Sequence, residues 1–109
     1  MVIAKVVLDK DGVLRSCKAS GHAGAGKTES VIVCAAVSVL VETAVNTLSG
    51  REGITIRCQA PKPGIHNLDA RYTAEGKVFL FAVGEFLISG FEFIAREFPE
   101  NCKLTVRRL

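Results

Sequence analysis

The sequence contains no tryptophan, and only one tyrosine, one methionine and three prolines in 109 residues. Its aromatic content is almost wholly phenylalanine, and all six phenylalanines fall between Phe79 and Phe98. That excludes a surface of aromatics interleaved with basic residues, the kind that stacks nucleic-acid bases; the cluster reads instead as core or interface. Charge of one sign is also scarce. Fourteen Lys and Arg against eleven Asp and Glu leave +3, part of it at Lys103, Arg107 and Arg108. An excess so small does not argue for nucleic acid. The first residues, Met1-Val2-Ile3-Ala4-Lys5, lack the basic start, apolar stretch and small-residue cleavage site of a signal peptide. No run reaches the ~18 uninterrupted apolar residues of a membrane helix. These absences predict a cytoplasmic protein with no membrane partner and no direct nucleic-acid contact. The four cysteines, Cys17, Cys34, Cys58 and Cys102, form no C-x-x-C pair and are widely spaced. That pattern argues against a zinc site, and in the cytosol it predicts free thiols. Repeats, linkers and low-complexity segments are missing too.

What is present is ordinary globular composition, with 49% hydrophobic and 23% charged residues. Enough apolar surface exists to offset the entropy of ordering, and the length fits one domain. A core of this size is modest, which favours an oligomer. Residues 2–8 are rich in β-branched side chains and predict a strand. Asp9-Lys10-Asp11-Gly12 is a turn, and residues 13–19 alternate as the returning strand of a hairpin. Residues 20–30 hold three glycines and predict a loop. Residues 31–45 are apolar except for Ser38, Glu42 and Thr43. Their length predicts a helix buried on most sides, capped by Thr28 or Ser30 and ending near Ser49-Gly50. Short strands follow over 54–58 and 67–73. A second helix covers 78–98, with Gly84 and Gly90 allowing close approach and Pro99 ending it. A last strand covers 104–108. The order ββαββαβ predicts an α+β, two-layer domain: two helices packed on a mixed, mainly antiparallel sheet.

Two motifs share the glycine-rich loop. Gly21-His22-Ala23-Gly24-Ala25-Gly26-Lys27-Thr28 satisfies the phosphate-binding pattern G-x-x-x-x-G-K-[ST] between a strand and a helix. Against it stand the preceding hairpin, where that motif needs a parallel, doubly wound sheet, and the lack of a hydrophobic strand ending in a magnesium-binding Asp. The second reading pairs His22 with Cys34, with eleven residues between them. Placed in the first turn of the helix, Cys34 would gain from unpaired amides that favour the thiolate. An imidazole brought beside it would take its proton, which is the chemistry of a cysteine hydrolase, and amides of the same turn could hold an oxyanion. Ser38, four residues on, shares the Cys34 face. The plainer alternative is a buried thiol and a solvated histidine. Cys17, Cys58 and Cys102 read as core or half-buried residues, His66 as a surface histidine, and Lys62 and Arg71 as solvated charge. Asp9 and Asp11 are turn residues rather than the start of a calcium loop.

Gly21-His22-Ala23, a short glycine-containing loop, and then Ile32-Val33-Cys34-Ala35-Ala36-Val37-Ser38 together resemble the bacterial ribosomal-processing cysteine protease family, Prp. The resemblance is carried by residues 20–46. It implies a homodimeric cytosolic endopeptidase that removes the N-terminal extension of a large-subunit ribosomal protein precursor, cutting after a phenylalanine-containing motif. It further implies Cys34 as nucleophile, His22 as base, Ser38 in support, and a substrate-admitting loop flexed at Gly21, Gly24 and Gly26, with no metal or cofactor. Val31 stands where the family usually carries Asp, and Glu29 is the carboxylate that can substitute for it. Lys27 adds a positive charge that favours a thiolate. A non-catalytic, ribosome-associated module of the same fold and a nucleotide binder are the alternatives.

Overall fold

The computed structural model describes residues 1–21, 28–62 and 64–109. Its elements follow the order β1 (Val2–Leu8), β2 (Leu14–Ser20), α1 (Thr28–Leu48), β3 (Ile54–Gln59), β4 (Ile65–Tyr72), α2 (Lys77–Glu97) and β5 (Cys102–Arg108). The five strands form one sheet in the order β3-β4-β2-β1-β5. Three neighbouring pairs are antiparallel, and β1 with β5 is parallel. This is the α+β, two-layer architecture the sequence implies. It is not the all-parallel sheet a phosphate-binding loop of the nucleotide-binding type requires.

The β1–β2 hairpin closes because Asp9 satisfies the turn's backbone. Its carboxylate accepts from the amides of Asp11 (2.9 Å) and Val13 (3.0 Å), and Gly12 supplies the positive φ of +79°. The Tyr72 hydroxyl donates to the other Asp9 oxygen, tying the turn to the end of β4.

Alternation in the strands places Val2, Ala4, Val6 and Leu8 of β1, Cys17 and Ala19 of β2, and Leu68 and Ala70 of β4 in the core. The helices cover that face. The stripe on α1 is Val33, Val37, Val41, Ala44 and Leu48; that on α2 is Leu80, Gly84, Leu87, Phe91 and Ile94. Gly84 lets α2 sit on the start of β2, where an added Cβ would come within 3.1 Å of Leu14 Cβ. A Cβ on Gly90 would meet the Leu40 side chain of α1 at 2.8 Å.

Several expectations change. α1 begins at Thr28, so Thr28 and Ser30 both lie inside the helix rather than at its cap, and Cys34 falls in the second turn. Nor is α1 buried on most sides. Val31, Ile32 and Val39 are exposed, because a two-layer fold covers only one side of each helix. By length and composition both 21-residue helices could cross a membrane. Here each rests on the sheet through its buried stripe.

Candidate active site

Cys34 projects from the second turn of α1 and is half-buried. Its amide lies within the helical ladder, so it is not one of the open donors of the helix start; those belong to the first turn, Thr28 to Val31. Among the thiols, Cys34 holds an intermediate position. Cys17 and Cys102 are buried and Cys58 is exposed. Burial, assisted by the Cys58 charge, pushes the Cys17 thiol up to about 12. Burial also raises Cys102. Cys58 is raised by partial burial and the nearby Glu42 carboxylate. Its exposure departs from the half-buried position expected, because β3 is an edge strand of the sheet.

Ser38 stands one turn beyond Cys34 on the same face. Its hydroxyl donates to the Cys34 carbonyl oxygen at 2.9 Å and lies 3.2 Å from His66 Nε2. The other ring nitrogen of His66 is 3.7 Å from Glu42 Oε1; it is buried and makes no hydrogen bond. Cys34, Ser38 and Glu42, spaced by four, thus form a stripe on α1 that faces β4 through His66. Instead of a surface histidine, His66 has a side chain only 14% exposed. The reason is register: His66 pairs with Ala19 on β2 and has the inward parity of Leu68 and Ala70. The sequence carried one overlooked signal, the polar stripe Ser38–Glu42 on an otherwise apolar helix, which needs a polar partner when it faces a sheet.

Glu29 is exposed in the first turn of α1. Five residues of helix turn it about 140° from Cys34, so the two point to different sides. Gly21 ends the described segment before α1. Its φ is +144°, and an added Cβ would lie 2.3 Å from the Met1 carbonyl oxygen. Its amide donates to the Gly64 carbonyl at 3.1 Å. Glycine is therefore required directly after β2. His22, Gly24, Gly26 and Lys27 lie outside the described residues. Among the described residues, no group of His, Cys, Asp and Glu could hold a metal ion.

The family model described as cysteine protease Prp matches residues 1–103. No curated protein matches the chain. Among solved structures, SMU.848 from Streptococcus mutans is 28% identical with a TM-score of 0.82, covering 100% of this chain and 96% of that one. The ribosomal processing protease Prp from S. aureus, solved in complex with a substrate peptide, is 18% identical with a TM-score of 0.81. That match covers 98% of this chain and 100% of the other. The same S. aureus protease with a covalently linked product peptide is 19% identical, also at 0.81.

Proposed function

The chain belongs to the cysteine protease Prp family, and from that premise we propose that it is a cytoplasmic endopeptidase that removes the N-terminal extension of a large-subunit ribosomal protein precursor. Cys34 is the nucleophile and His22 the base. The observation that carries the reading is the placement of Cys34: a half-buried thiol near the start of α1, twelve residues after His22 in the sequence, while Cys17 and Cys102 are sealed in the core. The likeness to the S. aureus protease supports the fold in which that site sits.

The chemistry proceeds through two displacements. His22 takes the Cys34 proton, and the thiolate attacks the scissile carbonyl to form a carbon–sulfur bond. Open amides of the first turn of α1 are the available donors for the oxyanion. The carbon–nitrogen bond then breaks, and the His22 imidazolium gives its proton to the leaving amine. Water, losing a proton to His22, attacks the thioester, and the thiolate leaves. Ser38 holds the Cys34 carbonyl and the His66 ring, which fixes the face of α1 beneath the reacting sulfur.

The protein acts as a homodimer in this reading. Phe86 and Phe93 of α2 and Val39 of α1 are exposed apolar side chains that a second copy would cover.

The test is cleavage of a synthetic peptide spanning the precursor's extension, followed by mass spectrometry. Cys34→Ala and His22→Ala should each abolish turnover while the far-ultraviolet circular dichroism stays native. Cleavage by Cys34→Ala at the wild-type rate would overturn the mechanism.

A further inference from the structure

Among the described residues no helix covers the second face of the sheet, and the register decides what stands there. Lys5 lies directly opposite Lys18 across β1 and β2, and Arg57 opposite Asp69 across β3 and β4. Arg71 pairs with Thr55, Lys103 with Ile3 and Arg107 with Val7, all at outward positions. All five strands thus contribute a cation, and all six of these side chains are exposed. Asp69 is the one carboxylate among the outward strand positions. Among the described residues, the contacts within salt-bridge distance are Lys77 with Asp11 and His66 with Glu42, so none of the six cations is paired.

Six cations against one carboxylate give this face five net positive charges, while the whole chain carries three. The remainder of the molecule is therefore net negative by two. A modest overall charge conceals a strongly segregated one.

Packing accounts for only part of the pattern: Arg57, Lys103 and Arg107 lie on the edge strands β3 and β5, where charge blocks edge pairing. Like charges directly opposite one another destabilise an antiparallel pair. Lysines that protect a sheet from edge pairing belong on edge strands, yet Lys5 and Lys18 lie on β1 and β2 in the interior of the sheet. A cavity of about 500 Å³ opens on the same face between Arg57 and Arg71. No aromatic side chain occupies an outward strand position, so the face offers no platform for stacking bases. What it offers is point charges and guanidinium forks across a sheet about 19 Å wide, suited to phosphate oxygens.

We propose that this open sheet face docks on the phosphate backbone of double-helical RNA, with Cys34, on the helix-covered side, left free to act. The charge pattern stands by itself; the choice of RNA rests on the ribosomal-protein reading given above, since such a substrate assembles with RNA. Recognition through the backbone alone implies little sequence preference and a steep dependence on salt.

The experiment measures fluorescence anisotropy of a labelled RNA duplex of mixed sequence across a salt series, alongside cleavage of the precursor peptide. Duplex DNA and polyglutamate serve as comparison polyanions. With most of the six cations engaged, affinity is expected to fall by roughly a hundredfold or more between about 50 and 200 mM salt. Lys5→Glu with Lys18→Glu should weaken RNA binding at least tenfold and flatten the salt slope, with peptide cleavage unchanged. The milder pair Lys5→Gln and Lys18→Gln gives the same direction if charge reversal disturbs the fold. RNA binding that is absent, or indifferent to these variants, while the peptide is still cut overturns the proposal and leaves the protease reading standing. Equal binding to polyglutamate or to duplex DNA overturns the assignment to RNA. RNA binding that needs Lys5 and Lys18 in a protein that cuts no precursor peptide upholds the face and removes the protease reading.

Discussion

Alkylation of the native protein by iodoacetamide near neutral pH, mapped by peptide mass, ranks the four thiols on one scale. The thiolate is the reacting species, so rate follows both access and ionisation. Cys17 has no exposed surface and is pushed from 9.0 up to about 12. At neutral pH that leaves about a thousandfold less thiolate than an ordinary cysteine carries, before access is counted. Cys102 is 2% exposed and also raised. Both should stay unlabelled on a timescale that consumes the other two. Cys58 is exposed, but partial burial of its thiol and the nearby Glu42 carboxylate hold its pKa up. Cys34 is half-buried and within reach of the reagent, and in the proposed mechanism His22 activates it. The expected order is Cys34, then Cys58, then Cys102, with Cys17 last and at least about a thousandfold slower than an ordinary cysteine. His22→Ala should slow Cys34 and leave Cys58 alone. Labelling of Cys58 ahead of Cys34, or a Cys34 rate indifferent to His22→Ala, would refute the assignment of Cys34 as an activated nucleophile.

Two further outcomes follow from the geometry. Gly21→Ala places a Cβ against the Met1 carbonyl in a positive-φ conformation. It should cost about 1–3 kcal/mol of stability and lower the melting temperature by roughly 4–8 °C per kcal/mol; a variant melting with the wild type would show that the Met1–Gly21 contact yields freely. The Asp9–Tyr72 hydrogen bond should shape the pH dependence of stability. Burial pushes the Asp9 carboxyl up, but the Tyr72 hydroxyl and the Val13 and Asp11 amides outweigh it, leaving Asp9 below its ordinary value. Its contribution is present above the ordinary carboxylate range and is lost as pH falls through the lowered value. The Tyr72 phenol, raised to about 12 first by that bond and then by burial, contributes below its ordinary range and loses that share as pH rises toward 12. Urea midpoints across pH should therefore flatten at both ends in Tyr72→Phe, and an unchanged profile would remove the bond from the account.

Much of this molecule is legible in short stretches of sequence. β1 shows in its β-branched residues, the hairpin in Asp9 to Gly12, and the stop of α2 in Pro99. The alignment of Ser38 with Cys34 follows from helical spacing alone. His66 does not show in this way. It meets Ser38 across 28 residues of chain, and only the pairing of β4 with β2 turns its ring toward α1. Cys58 is misjudged for a related reason: its strand is recognisable, but its place at the sheet edge is set by strand order.

The sequence by itself determined the seven elements, their order, the G-H-A and I-V-C motifs that mark the family, and the total charge. These depend on near neighbours, through periods of two or 3.6 residues and through turn chemistry. The tertiary structure decided which strands are edges, which face of each helix meets water, what surrounds the Cys34 stripe, and that six cations gather on one open face of the sheet. Those are properties of register and strand order. A one-residue slip in pairing would move each of those side chains to the opposite face without altering any local pattern.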